Sequence, residues 1–394
     1  MSGPEQRGRR APALVFAALG TLVFLNVYAP QSLLSLLARD FGVGPAAVGG
    51  VVGATMLAMA LASPLTGVVA DAWGRRRTVL WAFGLLVLPA LLASAAPSLA
   101  ALNAARFAQG LLIPGVMVAL NAYIAEDVTP DRRPGALSAY VTGTVLGGFL
   151  GRFLSGLVAS RGDWHAAFWL LALACALGWI VARTALPPET AFQPRRNPRV
   201  VLAGLHTHLH NPALRATCAV GFLILFTLVG TFNTLTLRLA GAPYGLSTVQ
   251  SGAVFAVYLL GVVITPVAGP FLAARGPRTA LLVAVGASVL GLLVTLTTPL
   301  PLVIAGVAAT ACGVFLAQAA ALAAVQRSVS GARSLAGGLY HLSYYGGAAL
   351  SSVVAGQVFE TGGWPATVPL LVGSLLLAAL AGTWGWRRVR VKPT

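Results

Sequence analysis

The charges of this chain fall in clusters separated by long stretches that carry none, and this spacing narrows the fold more than any other feature. Charge-free runs extend over Ala11 to Ala38, Phe41 to Ala70, Thr78 to Ala105, Phe107 to Ala125, Pro134 to Gly151, Trp164 to Ala182, Ala216 to Leu237, Leu239 to Ala274, Thr279 to Gln326, Ser334 to Phe359 and Thr361 to Trp386. Most reach the length of about 20 residues that a helix needs to cross a bilayer. In lipid the backbone must be satisfied within the segment, so such runs are helices. Of 394 residues 57% are apolar and 9% charged, against about 25% charged in soluble domains. A soluble globular fold is excluded, and the chain reads as an all-α membrane protein.

Proline, glycine and charge punctuation predicts twelve transmembrane helices near 12–38, 46–70, 78–96, 99–126, 136–160, 165–186, 213–239, 247–274, 279–297, 302–327, 334–359 and 364–387. Pro299-Leu300-Pro301 divides one long run, and Gly241-Ala242-Pro243-Tyr244-Gly245 interrupts another near its start. The first run follows Arg7, Arg9 and Arg10 without a small-residue cleavage site, so it is expected to stay in the membrane as a helix.

An even number of spans puts both termini on one side. The tails and the even-numbered loops hold 21 of the 26 basic residues, which predicts a multi-pass protein of the cell (inner) membrane with both termini cytoplasmic. The net charge of +17 then reflects topology and contact with anionic membrane lipids, and no nucleic-acid partner is expected. Cys175, Cys218 and Cys312 lie within apolar runs and read as small core residues. His206, His208 and His210 alternate in the central loop and are not read as a metal site; no cofactor is expected.

The longest loop, Pro187 to Asn211, is rich in Pro and Arg. It divides the chain into a six-helix half over 1–186, a cytoplasmic linker over 187–212 and a second six-helix half over 213–394. Gly67, Asp71, Gly74 and Arg76 recur in spacing as Gly269, Ala273, Gly276 and Arg278, an offset of 202. Two pseudo-symmetric, parallel halves are what an alternating-access transporter needs.

The segment Gly67-Val68-Val69-Ala70-Asp71-Ala72-Trp73-Gly74-Arg75-Arg76-Arg77 resembles the cytoplasmic loop signature of the Major Facilitator Superfamily, departing from it at Ala72. The resemblance implies a gate in which Asp71 meets the start of helix 11 near Ser334 and the arginines pair with Glu126. Arg106, Gln109 and Gly110 resemble that family's second motif. In helix 5, Gly143, Gly147, Gly148, Gly151, Arg152, Ser155 and Gly156 resemble the antiporter motif of the drug:proton antiporter branch, with Gly148 and Arg152 where the motif has proline and glycine. Close helix packing is the structural alternative for those glycines. Tyr340-His341-Leu342-Ser343-Tyr344-Tyr345-Gly346-Gly347 is similar to a bacterial arabinose or multidrug efflux-type subgroup.

An arginine kept at depth faces a cavity or a partner, and no Asp or Glu falls at mid-membrane. Arg106 and Arg152 are therefore expected to share a pocket for a neutral, amphiphilic or anionic solute. Asn26, Gln31, Gln109, Asn233, Tyr258, Gln318, His341 and Tyr344 complete the candidate binding set. Gly67, Asp71, Gly74, Arg75 and Glu126 form the candidate gate, and Asp71, Glu126 and His341 are the candidates for carrying a proton. The expectation is a non-enzymatic, monomeric secondary transporter exporting a small drug-like, amphiphilic or sugar-like solute in exchange for protons. Uniport or import of an organic anion or sugar is the alternative. An intramembrane enzyme lacks the clustered acids it would need, and no Walker motif supports ATP-driven pumping.

Overall fold

A computed structural model describes residues 11–161, 163–190, 206–329 and 333–387, with backbone alone at 265, 266, 333 and 334. Among the described residues the chain is helical throughout, with no strand. The elements in chain order are α1 Ala13–Asp40, α2 Pro45–Trp73, α3 Arg75–Ser94, α4 Leu99–Asp127, α5 Arg133–Ala159, α6 Trp164–Ala185 and α7 Pro212–Ala240. They continue as α8 (248–275), α9 (277–294), α10 Leu300–Ser328, α11 (333–362) and α12 (364–385). Arg75, Arg76, Arg132, Arg133 and Arg183 gather at one end of the bundle, the basic end; Asp40, Asp163, Arg238 and Glu360 belong to the opposite, far end.

Several helices start two or three residues earlier than the sequence pattern predicts, α3, α5, α9 and α10 among them. Arg75, Arg76 and Arg77 were expected in a loop, but α3 begins at Arg75 because Gly74 alone turns the chain, at φ +99°. Gly276 repeats the device between α8 and α9 at φ +76°, 202 positions later. Only glycine enters this region without a Cβ clash.

Small residues set the helix packing. A methyl group on Gly143, Gly147 or Gly151 of α5 would run into the carbonyl oxygens of Ala17, Thr21 and Leu25 of α1, so these helices touch backbone to backbone at four-residue intervals. Gly347 of α11 meets Phe222 of α7 in the same way. At the far end Gly356 of α11 lies against Ala46 of α2, and Gly156 of α5 against Thr248 of α8.

Pro30 breaks α1 at mid-depth. It brings no N–H for the carbonyl of Asn26 four residues earlier, and the chain tightens into a 3-10 turn over Ala29–Leu33. A carbonyl freed in this way must find another donor, and that requirement builds the site.

Candidate functional site

Two arginines grip the broken turn of α1. Arg106 of α4, fully buried, donates to the carbonyls of Asn26 at 2.9 Å, Val27 at 3.1 Å and Val51 at 3.4 Å, and to Gln109 Oε1 at 2.6 Å. The Asn26 carbonyl is the one that Pro30 leaves without a donor. Arg106, expected at the solute, is thus turned onto the backbone of α1 and α2, with Gln109 and Asn26 beside it. Thr55 of α2 bonds back to the Arg106 carbonyl at 3.1 Å.

Arg152 sits about two turns below the end of α5 and is also fully buried. Its Nε donates to Gln31 Oε1 at 2.7 Å and its Nη1 to the carbonyl of Gly148. The guanidinium lies 4.4 Å from the ring centre of Tyr28, 4.1 Å from Tyr258, 4.6 Å from Phe255 and 6.0 Å from Phe232. Among the described residues no ion pair involves Arg106 or Arg152. A charge at this depth costs about 3 kcal/mol on insertion scales, and desolvated cation–π contacts of up to about 2 kcal/mol each offset it. Even so, Arg152 Nη2 and the Tyr258 hydroxyl are buried close to one another without a hydrogen bond of good geometry.

Gln31 carries the contact across the bundle. Its Nε2 donates to Asn233 Oδ1 of α7 at 2.7 Å, and Asn233 Nδ2 reaches Ser352 Oγ of α11 at 3.4 Å. Ser32 donates to the Arg152 carbonyl at 2.7 Å. The candidates Arg152, Gln31, Asn233 and Tyr258 therefore form one connected cluster.

The α11 candidates form a second, aromatic group. His341 stacks on Tyr345 with ring centres 5.9 Å apart and meets Tyr340 edge-on at 5.6 Å, while Tyr344 stacks on Tyr340 at 5.6 Å. Tyr345 reaches Met117 of α4 at 3.9 Å. Gln318 is half-buried on α10 and takes no part in these bonds.

At the basic end Arg75, whose side chain is 5% exposed, pairs with Asp71 at 3.0 Å and Glu126 at 2.8 Å. Asp71 closes the last turn of α2 instead of standing in a loop; the side chain of Ser334, its expected partner, lies outside the described residues. Gly67 is open on its helix face, whereas a Cβ on Gly74 would stand 2.5 Å from Glu189 Oε1. Glu189 is the residue the sequence reading missed. Its carboxylate accepts the N–H of Arg75 at 2.8 Å and of Arg76 at 3.1 Å, capping α3. Arg76 in turn donates to the carbonyls of Leu186 at 2.7 Å and Arg183 at 3.0 Å, and Thr190 N to Asp127 at 2.7 Å. The available signal was that Glu189 is the one acid in the arginine-rich loop after α6.

A buried cationic cluster joining helices from both sides of the central loop, above an Asp–Arg–Glu clasp, agrees with the motif resemblance. The Major Facilitator Superfamily profile matches residues 16–329. The chain belongs to the Major Facilitator Superfamily. This superfamily member is 28% identical to the uncharacterised MFS-type transporter YybF of Bacillus subtilis over 374 residues, 94% of this chain and 92% of that one. It is 29% identical to the inner membrane transport protein YnfM of Escherichia coli, over 98% of this chain and 93% of that one. Among solved structures, a mutant of the nucleoside transporter NupG matches with a TM-score of 0.76 at 16% identity, covering 95% of this chain and all of that one. A bacterial homologue of the lysosomal transporter Spinster, inward-facing and unoccupied, matches at 0.74 and 17% identity, covering 97% and 98%. These structural likenesses concern the fold.

Proposed function

We propose that this multi-pass membrane protein exports a small organic solute by alternating access, in exchange for protons, from a cell membrane in which the basic end faces the cytoplasm. The observation that carries the reading is the chain Arg152, Gln31, Asn233 and Ser352, which ties α5 and α1 to α7 and α11 at mid-depth. A solute bound there touches both groups of helices, so its binding energy can bias the equilibrium between their two arrangements. Asp71, Arg75 and Glu126 latch the cytoplasmic side, with Gly67 and Gly74 shaping it. His341, Asp71 and Glu126 are the groups proposed to carry the proton.

The test is transport by the monomer in proteoliposomes with an imposed pH difference and an internal pH-sensitive dye, across neutral, cationic and anionic solutes. Solute movement accompanied by opposite proton flux supports exchange; solute movement that survives collapse of the pH gradient, with no proton flux, rejects it. The second outcome favours uniport or import of an organic anion or sugar, a reading motivated by the absence of any ion pair at Arg152 among the described residues.

A further inference from the structure

We propose that Arg152 is an oxyanion site and that the same guanidinium is the latch of the far end, so that a carboxylate or phosphonate on the solute releases α8 from α5 when it binds. The inference rests on the transport reading above and assigns its solute class and its trigger.

Both functions meet in one residue. The backbone of Arg152 is itself part of the α5–α8 interface: a Cβ on Gly252 of α8 would stand 3.1 Å from the Arg152 carbonyl oxygen and 3.1 Å from Phe153 Cα. About one and two turns further along α8, Phe255 and Tyr258 close over the guanidinium, and Phe232 of α7 stands behind them. Beyond these rings α8 offers the charge only the Tyr258 hydroxyl among the described residues, and neither that hydroxyl nor Nη2 makes a hydrogen bond of good geometry. An oxyanion supplies what is missing: a negative charge for the guanidinium and a well-placed acceptor for both donors. It cannot do so without displacing ring contacts, because Arg152 has no exposed surface in this arrangement. Binding therefore replaces the ring contacts, leaving α8 held to α5 by backbone packing and by the Thr248 Oγ1 bond to the Gly156 carbonyl at 3.1 Å.

The opposite interface lacks the device. Where α2 meets α11 at the same end, Gly49 and Gly53 pack on Ser352 and Ala46 on Gly356, and the Ala46 N–H donates to the Glu360 carboxylate at 3.4 Å; among the described residues no guanidinium lies between these helices. One of the two far-end seams thus carries a cation that an anion can meet, and the other a carboxylate that would repel one.

The experiment uses the full-length protein in detergent with benzoate and phenylphosphonate as probes and benzamide as the uncharged control. Thermal stabilisation by both oxyanions and not by benzamide is expected in the wild type, with loss of the response in Arg152→Gln and a weaker response in Tyr258→Phe. Phe255→Leu thins the cage and is expected to tighten benzoate binding by about three- to tenfold, which a purely structural arginine would not produce. Spin labels at Ser160→Cys and Gln250→Cys, at the exposed ends of α5 and α8, in a protein whose Cys175, Cys218 and Cys312 are replaced by Ala, are expected to move apart on adding benzoate.

Oxyanions that stabilise no better than benzamide overturn the site, even where proteoliposomes transport another solute, in which case the transport reading stands. Benzoate that binds through Arg152 but leaves the label distance unchanged overturns the latch. Absence of transport for every solute class, with the oxyanion response intact, fails the transport reading alone.

Discussion

Gln31 donates a 2.7 Å hydrogen bond to Asn233, and the two residues stand 202 positions apart, the offset that also relates the turn glycines Gly74 and Gly276. A side chain of α1 thus meets one of α7 directly at mid-depth. Such a contact lies where any relative motion of α1 and α7 must pass, and it is one bond long. Gln31→Ala and Asn233→Ala are each expected to lower stability modestly, with a coupling in the double variant of about 0.6–1.7 kcal/mol, the range of interhelical bonds in membranes. Additive losses in a double-mutant cycle of thermal unfolding would show that the bond contributes nothing.

Arg106 is expected to matter for folding more than for solute recognition. Arg106→Ala orphans the buried carbonyl of Asn26, which Pro30 leaves without another donor, at about 1–3 kcal/mol. A large drop in Tm in detergent, together with solute affinity unchanged in whatever fraction remains folded, is the expected result. An Arg106→Ala protein as stable as the wild type contradicts the assignment.

Glu189 is a cap supplied from outside the helix. Glu189→Ala removes the acceptor for the first N–H groups of α3 and is expected to cost about 1 kcal/mol, in the range of N-cap losses. Gly74→Ala meets the same carboxylate and in addition strains a backbone at φ +99°, so it should cost more than Glu189→Ala. Ranking the two by thermal shift checks the geometry.

Arg75 is buried, but its partners Asp71 and Glu126 are 38% and 43% exposed, so solvent screens both pairs. Asp71→Asn is expected to change stability by less than about 1 kcal/mol while altering the rate of transport, if the clasp serves the gate. Transport at the wild-type rate in Asp71→Asn removes the gating role.

For His341 the expected signature is loss of coupling with retention of exchange. A pH difference should drive solute movement in the wild type and not in His341→Gln, while solute-for-solute exchange without a gradient continues in both. Unaltered pH-driven movement in His341→Gln excludes it as the proton carrier.

The helices themselves were legible in the sequence because their cause is local. A run without charge, ended by proline or arginine, must satisfy its own backbone in lipid, and nothing distant alters that. The repeat offset and the glycine ladder of α5 were visible for the same reason, as was the likeness to the superfamily. Direction was not. Arg106 and Arg152 stand at similar depth on neighbouring helices and look alike in the sequence, yet one turns to the carbonyls that Pro30 leaves open and the other enters a cage of rings from α1, α7 and α8. Likewise nothing adjacent to Glu189 marks it as the cap of a helix more than 110 positions earlier. Which way a guanidinium points, and which amide a carboxylate reaches, depends on the rotation and approach of helices far apart in the chain, and only their packing fixes those.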